Sequence, residues 1–197
     1  MWDRTGTARP EDVDAVVTAA RQRAPRCGGT VVVAVDGPSG AGKSTLARGV
    51  VSALGAERTE VVHLDRLYPG WDGLAVTPGL LADGVLAPMS RGEPAGFRPW
   101  SWVRDEWRPW RPVATRPYLV VEGCGASVGP TRPYTALAVF VTADRDLRRE
   151  RGLARDGETY RPHWQRWADQ ETALFAADRT RERADLVIDT TSGASTL

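Results

Sequence analysis

Apolar positions recur along this chain at two spacings, and the alternation between them outlines a layered fold. Residues 11–24, EDVDAVVTAARQRA, set Val13, Val16, Val17 and Ala20 at helical spacing, with Glu11 and Asp12 in the first turn. The pattern predicts a leader helix within residues 1–28, closed by Gly28 and Gly29. Residues 30–36, TVVVAVD, are apolar without alternation, which predicts a strand buried on both faces of a parallel sheet. A glycine-rich loop over 37–42 and a helix over 43–54 follow. Further strands are predicted at 60–64, 118–122, 136–142 and 186–189. Helical stretches are predicted near 77–90, 144–156 and 160–178, and 192–197 reads as a loose tail. Strands alternating with helices predict an α/β fold with three layers, α/β/α, around a mostly parallel sheet of about five strands.

Residues 91–117 break the rhythm. RGEPAGFRPWSWVRDEWRPWRPVATRP holds four of the eight tryptophans and five prolines. Proline at that density interrupts regular structure, so this segment is expected to be a Trp/Pro-rich insertion over one end of the sheet. The length, 197 residues, fits a single domain over 1–197.

Composition narrows the function classes. A formal charge of +1 argues against a nucleic-acid binder. No apolar run reaches the roughly 18 residues of a membrane span, and residues 1–10 lack the apolar stretch of a secretory signal. Two cysteines, Cys27 and Cys124, make neither a disulfide framework nor a metal quartet. The expectation is a cytoplasmic protein without nucleic-acid or membrane partners.

Of the 26 basic residues only Lys43 is a lysine. It sits in Gly37-Pro38-Ser39-Gly40-Ala41-Gly42-Lys43-Ser44, which matches G-x-x-x-x-G-K-[ST] between a buried strand and a helix. In that setting glycines let successive N–H groups turn inward toward phosphate oxygens, and the following helix aims its positive end at the same point. Gly37, Ser39, Gly40, Ala41, Gly42, Lys43, Ser44 and Thr45 are thus the candidate nucleotide-binding residues, with Lys43 reaching the β- and γ-phosphates and Ser44 ligating Mg²⁺. Such a loop binds nucleotides without specifying a reaction. A guanine-reading Asn-Lys-x-Asp segment cannot occur in this sequence, because its one lysine is already in the loop.

Three acids stand at predicted strand ends. Glu122 closes YLVVE and could hold Mg²⁺ or its water. Asp36 could reach the metal shell or serve structure. Asp65 follows VVHL and could accept a proton from a substrate hydroxyl or cap a helix.

Together VDGPSGAGKST, LDRLY, LVVEG and the arginine-rich stretch after the fourth strand resemble the uridine kinase-like branch of the P-loop small-molecule kinases, relatives of phosphoribulokinase and pantothenate kinase. The resemblance runs over about residues 30–190 and implies a P-loop NTPase fold that uses ATP and Mg²⁺. In that family an Asp-x-Phe-Tyr segment supplies the catalytic base; LDRLY is similar, with Leu67 in the phenylalanine's place. This implies Asp65 as base and substrate contact, and Tyr68 as a wall of the acceptor pocket. It also implies a lid over 144–160, where Arg148, Arg149, Arg151 and Arg155 crowd together. Arg148, Arg151 and Arg155 are the candidates to clamp the transferring phosphoryl group, although interleaved acids would equally suit a solvated helix face.

The implied activity is ATP- and Mg²⁺-dependent phosphoryl transfer to a hydroxyl of a small-molecule acceptor such as a nucleoside. Two alternatives remain: a nucleoside monophosphate kinase resembling cytidylate kinase, and an ATP-binding regulatory protein with little turnover. A homodimer is compatible with any of these. The insertion departs from the family's nucleoside-binding pattern and offers Arg98 and Trp100 as substrate contacts, with Trp102 and Trp107 beside them. A stripe of Trp164, Trp167, Glu171, Leu174 and Phe175 reads as core packing in which Glu171 needs a partner, an arginine being the obvious one. His63 and His163 read as structural, and Cys124 lacks a paired base.

Overall fold

The computed structural model describes residues 6–192. Five strands form one parallel sheet: β1 (Val31–Asp36), β2 (Thr59–His63), β7 (Tyr118–Glu122), β8 (Thr135–Thr142) and β9 (Leu186–Asp189). Their spatial order is β2-β7-β1-β8-β9, so the glycine-rich loop leaves the central strand. All of β1 is buried, and the period-two pleat divides it. Val31, Val33 and Val35 pack with α1 (Pro10–Arg21) and α2 (Lys43–Leu54) through Val16, Leu46 and Val50. Val32 and Ala34 face Leu64, Tyr68 and Trp167 on the other side. The three-layer α/β/α fold expected from the sequence is therefore the one observed.

The second face carries α3 (Thr77–Leu81), α4 (Ala87–Ser90) and α6 (Trp164–Asp178). Between α3 and α4, Ala82–Leu86 takes a wider π turn. Pro88 has no N–H to give the carbonyl of Gly84, and the turn opens where that bond is missing. A Cβ on Gly84 would also stand 2.8 Å from the Gly96 carbonyl oxygen.

The insertion is ordered as a hairpin within a hairpin. β3 (Gly96–Phe97) pairs antiparallel with β6 (Arg111–Pro112), and β4 (Trp100–Ser101) with β5 (Glu106–Trp107). After β8, α5 (Arg145–Asp156) carries the arginines and ends at Gly157, which adopts φ 64°. The helix expected over 160–178 begins only at Trp164, because short 3-10 turns at Gly157–Thr159 and Arg161–His163 precede it. α7 (Thr180–Arg183) leads into β9. Of the expected tail, residues 193–197 lie outside the described residues, as do residues 1–5 of the leader. No helix among the described residues is long and apolar enough to cross a membrane.

Candidate active site

The carboxyl ends of β1, β2 and β7 converge, which is where open α/β sheets bind ligands. At β1 the chain enters the loop Gly37–Gly42. Gly37, Gly40 and Gly42 adopt φ 130°, 77° and 94°. A Cβ on Gly37 would lie 2.0 Å from the Val141 carbonyl oxygen, and one on Gly40 2.1 Å from that of Arg148. Both positions thus require glycine, for backbone conformation and for space.

Asp36 anchors this turn from below. Its fully buried carboxylate accepts the Gly37 N–H at 2.7 Å, and the Gly125 and Ser127 N–H groups and the Ser127 hydroxyl at 2.8 Å each. Burial pushes its carboxyl up, opposed by these four bonds. Asp36 thereby ties the phosphate loop to the segment after β7, and its oxygens are spent on that task.

Lys43 is buried, and its Nζ donates to the Pro38 carbonyl at 2.9 Å and lies 3.5 Å from Cys124 Sγ. Burial works against its charge, but Cys124 and the carboxylates of Glu171, Glu122 and Asp65 outweigh it and raise its pKa. The Ser44 hydroxyl donates to Glu122 Oε2 at 3.1 Å. His63 Nδ1 is 2.6 Å from the other oxygen of Glu122. Burial pushes the Glu122 carboxyl up, yet His63, Lys43 and Ser44 overcome it and hold it below the ordinary range. His63 and Glu122 are directly paired residues in the parallel register of β2 and β7.

Asp65 lies in the 3-10 turn after β2. It is exposed, and no group among the described residues hydrogen-bonds its carboxylate. The protein crowding around it and the nearby Glu122 charge push its carboxyl up; Arg155 and Lys43 pull it back, and the net shift is upward. Lys43, Glu122, Asp65 and Arg155 therefore share one electrostatic neighbourhood.

The arginines of α5 divide. Arg155 acts on Asp65 while pairing with Asp156 at 2.6 Å. Arg148 packs on the loop, donating to the Ala143 carbonyl at 3.1 Å and the Ser39 carbonyl at 3.4 Å, 3.8 Å from Glu171. Arg151 donates to the Thr190 hydroxyl at 2.9 Å and its carbonyl at 3.1 Å, which ties α5 to the chain after β9.

The acceptor-side candidates also separate. Tyr68 is buried against Trp167, its hydroxyl donating to the Cys124 carbonyl at 3.0 Å, so it belongs to the core beneath the cleft. Arg98 donates to the Arg108 carbonyl at 3.1 Å, and Trp100 packs edge-on to Trp107 at 5.0 Å. Both stabilise the hairpin. Trp102 reaches the cleft: its indole N–H donates to the Asp65 carbonyl at 2.7 Å. Trp71 stacks on His163 at 4.4 Å and on Tyr160 at 5.5 Å, and meets Trp102 at 4.7 Å. Aromatic rings thus join the hairpin, the turn after β2 and the approach to α6.

Sequence reading took His63 as structural, set Cys124 aside as a nucleophile, gave Glu171 only a packing place and did not single out Tyr160. Glu171 accepts the Ser39 N–H at 2.7 Å and lies 3.0 Å from Cys124 Sγ, with Arg148 as its cationic neighbour. The misfit of an acid on an apolar stripe was the signal that could have found it. Tyr160 is buried, and its ring meets Trp71 and Trp164.

The site suits a nucleotide with Mg²⁺. The glycine turn is a cradle that any Cβ would fill, and Ser44 beside Glu122 offers hard oxygen donors of the kind Mg²⁺ takes. Among the described residues no group of three or more His, Cys, Asp or Glu residues forms a metal cage.

A protein-family model described as an AAA domain matches residues 33–173, which holds the loop, Asp65, Glu122 and α5. The chain belongs to the AAA domain family. The fold of this AAA domain is shared by solved structures. One, described as a possible uridine kinase from Bacillus stearothermophilus, is 18% identical with a TM-score of 0.64, covering 91% of this chain and 98% of that one. Another, provisionally described as a fructose transport system kinase from Silicibacter sp. TM1040, is 21% identical with a TM-score of 0.52, covering 89% and 98%. This agrees with the uridine kinase-like resemblance at the level of fold. No curated protein matches the chain.

Proposed function

We propose that this protein transfers the γ-phosphoryl group of ATP to a hydroxyl of a small molecule. The observation that carries the reading is the Asp65 carboxylate, exposed, without a hydrogen bond among the described residues, and under the electrostatic influence of Lys43 and Arg155. An acid that only capped a helix or held structure would have its oxygens satisfied, as those of Asp36 are.

The loop amides and Lys43 bind the phosphates, and Lys43 offsets charge that develops on the transferring group. Ser44 and Glu122 would hold Mg²⁺, which would neutralise phosphate charge when bound. His63 orients Glu122. Asp65 orients the acceptor hydroxyl and takes its proton. Arg155 supports the phosphoryl charge from the lid side. Trp102, partly exposed next to Asp65, offers a ring face that suits a planar acceptor such as a nucleoside.

The test is ATP consumption with Mg²⁺ against nucleosides, nucleoside monophosphates, pantothenate and sugars, with Asp65→Asn run alongside. Turnover on a hydroxyl acceptor should fall by about 10²- to 10⁴-fold in the variant while ATP affinity holds. Acceptor-dependent turnover that survives the substitution would overturn the assignment of Asp65. Turnover only on a monophosphate would replace the hydroxyl acceptor by a phosphate one.

A further inference from the structure

Away from the phosphate loop lies a cavity of about 490 Å³, bounded by the segment after β7, β8, the α6–α7 junction and the loop after α1. Arg26, Arg132 and Arg183 converge on it from three separate parts of the sequence. Asp178 and Asp185 also line it, but both are already satisfied. Asp178 accepts the Gly129 N–H at 3.0 Å and the Thr180 hydroxyl at 2.9 Å, and pairs with Arg132. Asp185 pairs with Arg23 at 2.6 Å and accepts the Ala138 N–H at 2.8 Å.

The balance leaves positive charge over. With Arg132 and Arg23 matched to the two aspartates, the guanidinium groups of Arg26 and Arg183 have no hydrogen-bond or ion-pair partner among the described residues. Each presents a planar fork of N–H donors suited to phosphate oxygens. Arg132 has further N–H groups beyond the one that meets Asp178. The hydroxyls of Ser127 and Thr180 give their protons to Asp36 and Asp178, so donation to a ligand falls to the arginines. Two uncompensated positive charges match a dianion, and the volume exceeds that of a bare phosphate. Ala138 and Pro133 supply an apolar wall for the body of the ligand.

We propose that this cavity binds a phosphate monoester. The site is separate from the proposed catalytic cleft and does not depend on that reading. It shares one residue with the loop's support, since Ser127 both lines the cavity and donates to Asp36, the carboxylate under Gly37.

Calorimetric titration of the full chain with ribose 5-phosphate, and separately with inorganic phosphate, tests this. It is run on Lys43→Ala, which weakens phosphate binding at the loop, and on Lys43→Ala combined with Arg26→Gln and Arg183→Gln. Saturable binding in the first protein should weaken at least about tenfold in the second. Ribose 5-phosphate binding tighter than inorganic phosphate would support the organic ester named here. The unliganded melting temperature should be the same with and without the arginine substitutions, since neither guanidinium has a partner among the described residues. Absence of saturable binding, equal affinity in the two proteins, or a preference for inorganic phosphate would overturn the proposal.

Discussion

The two sides of the cleft are built differently. On the phosphate-loop side nearly every polar group is already engaged: Asp36 takes four hydrogen bonds, Glu122 meets Ser44 and His63, and Glu171 holds the Ser39 amide. On the acceptor side the chemistry is open. Asp65 has a carboxylate without a hydrogen bond among the described residues, Arg155 is partly exposed, and tryptophans line the wall, Trp102 tied to the Asp65 carbonyl. The first side is preorganised, so its dipoles and charges need little rearrangement when phosphate binds. The second leaves its groups free for the acceptor proposed above.

Substitutions should expose that contrast. The largest effect belongs to Asp36→Ala, which strands buried donors at Gly37, Gly125 and Ser127. A loss on the order of 4 kcal/mol is expected in denaturant unfolding. A change below about 1 kcal/mol would mean that the loop's support lies elsewhere. Next come the paired arginines. Arg155→Gln should lower turnover about tenfold or more with little change in stability, whereas Arg151→Gln, which loses its bonds to Thr190, should cost about 1 kcal/mol of stability. Equal kinetic effects from the two would erase the division of labour drawn here within α5.

The smallest effect is a pH dependence. The Glu122 carboxyl is held lower in the folded protein than in the unfolded chain. Between those two values the unfolded state binds more protons, so stability falls as pH drops below about 4.3 and through the folded value. Glu122→Gln should flatten that part of the stability profile. An unchanged acid limb in the variant would show that His63 and Ser44 do not bias Glu122 as their distances imply.

The role of α5 was only partly legible. Four arginines in one short stretch are visible in the sequence, but which one turns toward Asp65 depends on how α5 rests on the loop, with the Gly40 position against the Arg148 carbonyl. Tyr68 shows the same limit from the other direction. Its place in LDRLY suggested an acceptor wall, while the turn after β2 directs its ring under the cleft against Trp167.

By itself the sequence determined the parallel sheet, the loop and the lone lysine. Valine runs, glycine spacing and a helix start are local signals, each readable within about ten residues. Tertiary structure decided the pairings that span distant segments. Parallel register set His63 beside Glu122, and packing of α6 carried Glu171 to Ser39, 132 residues away in sequence. It also joined Trp71 to His163, and brought Arg26, Arg132 and Arg183 around one cavity. Such contacts depend on the angles and distances between packed layers, which no local spacing encodes.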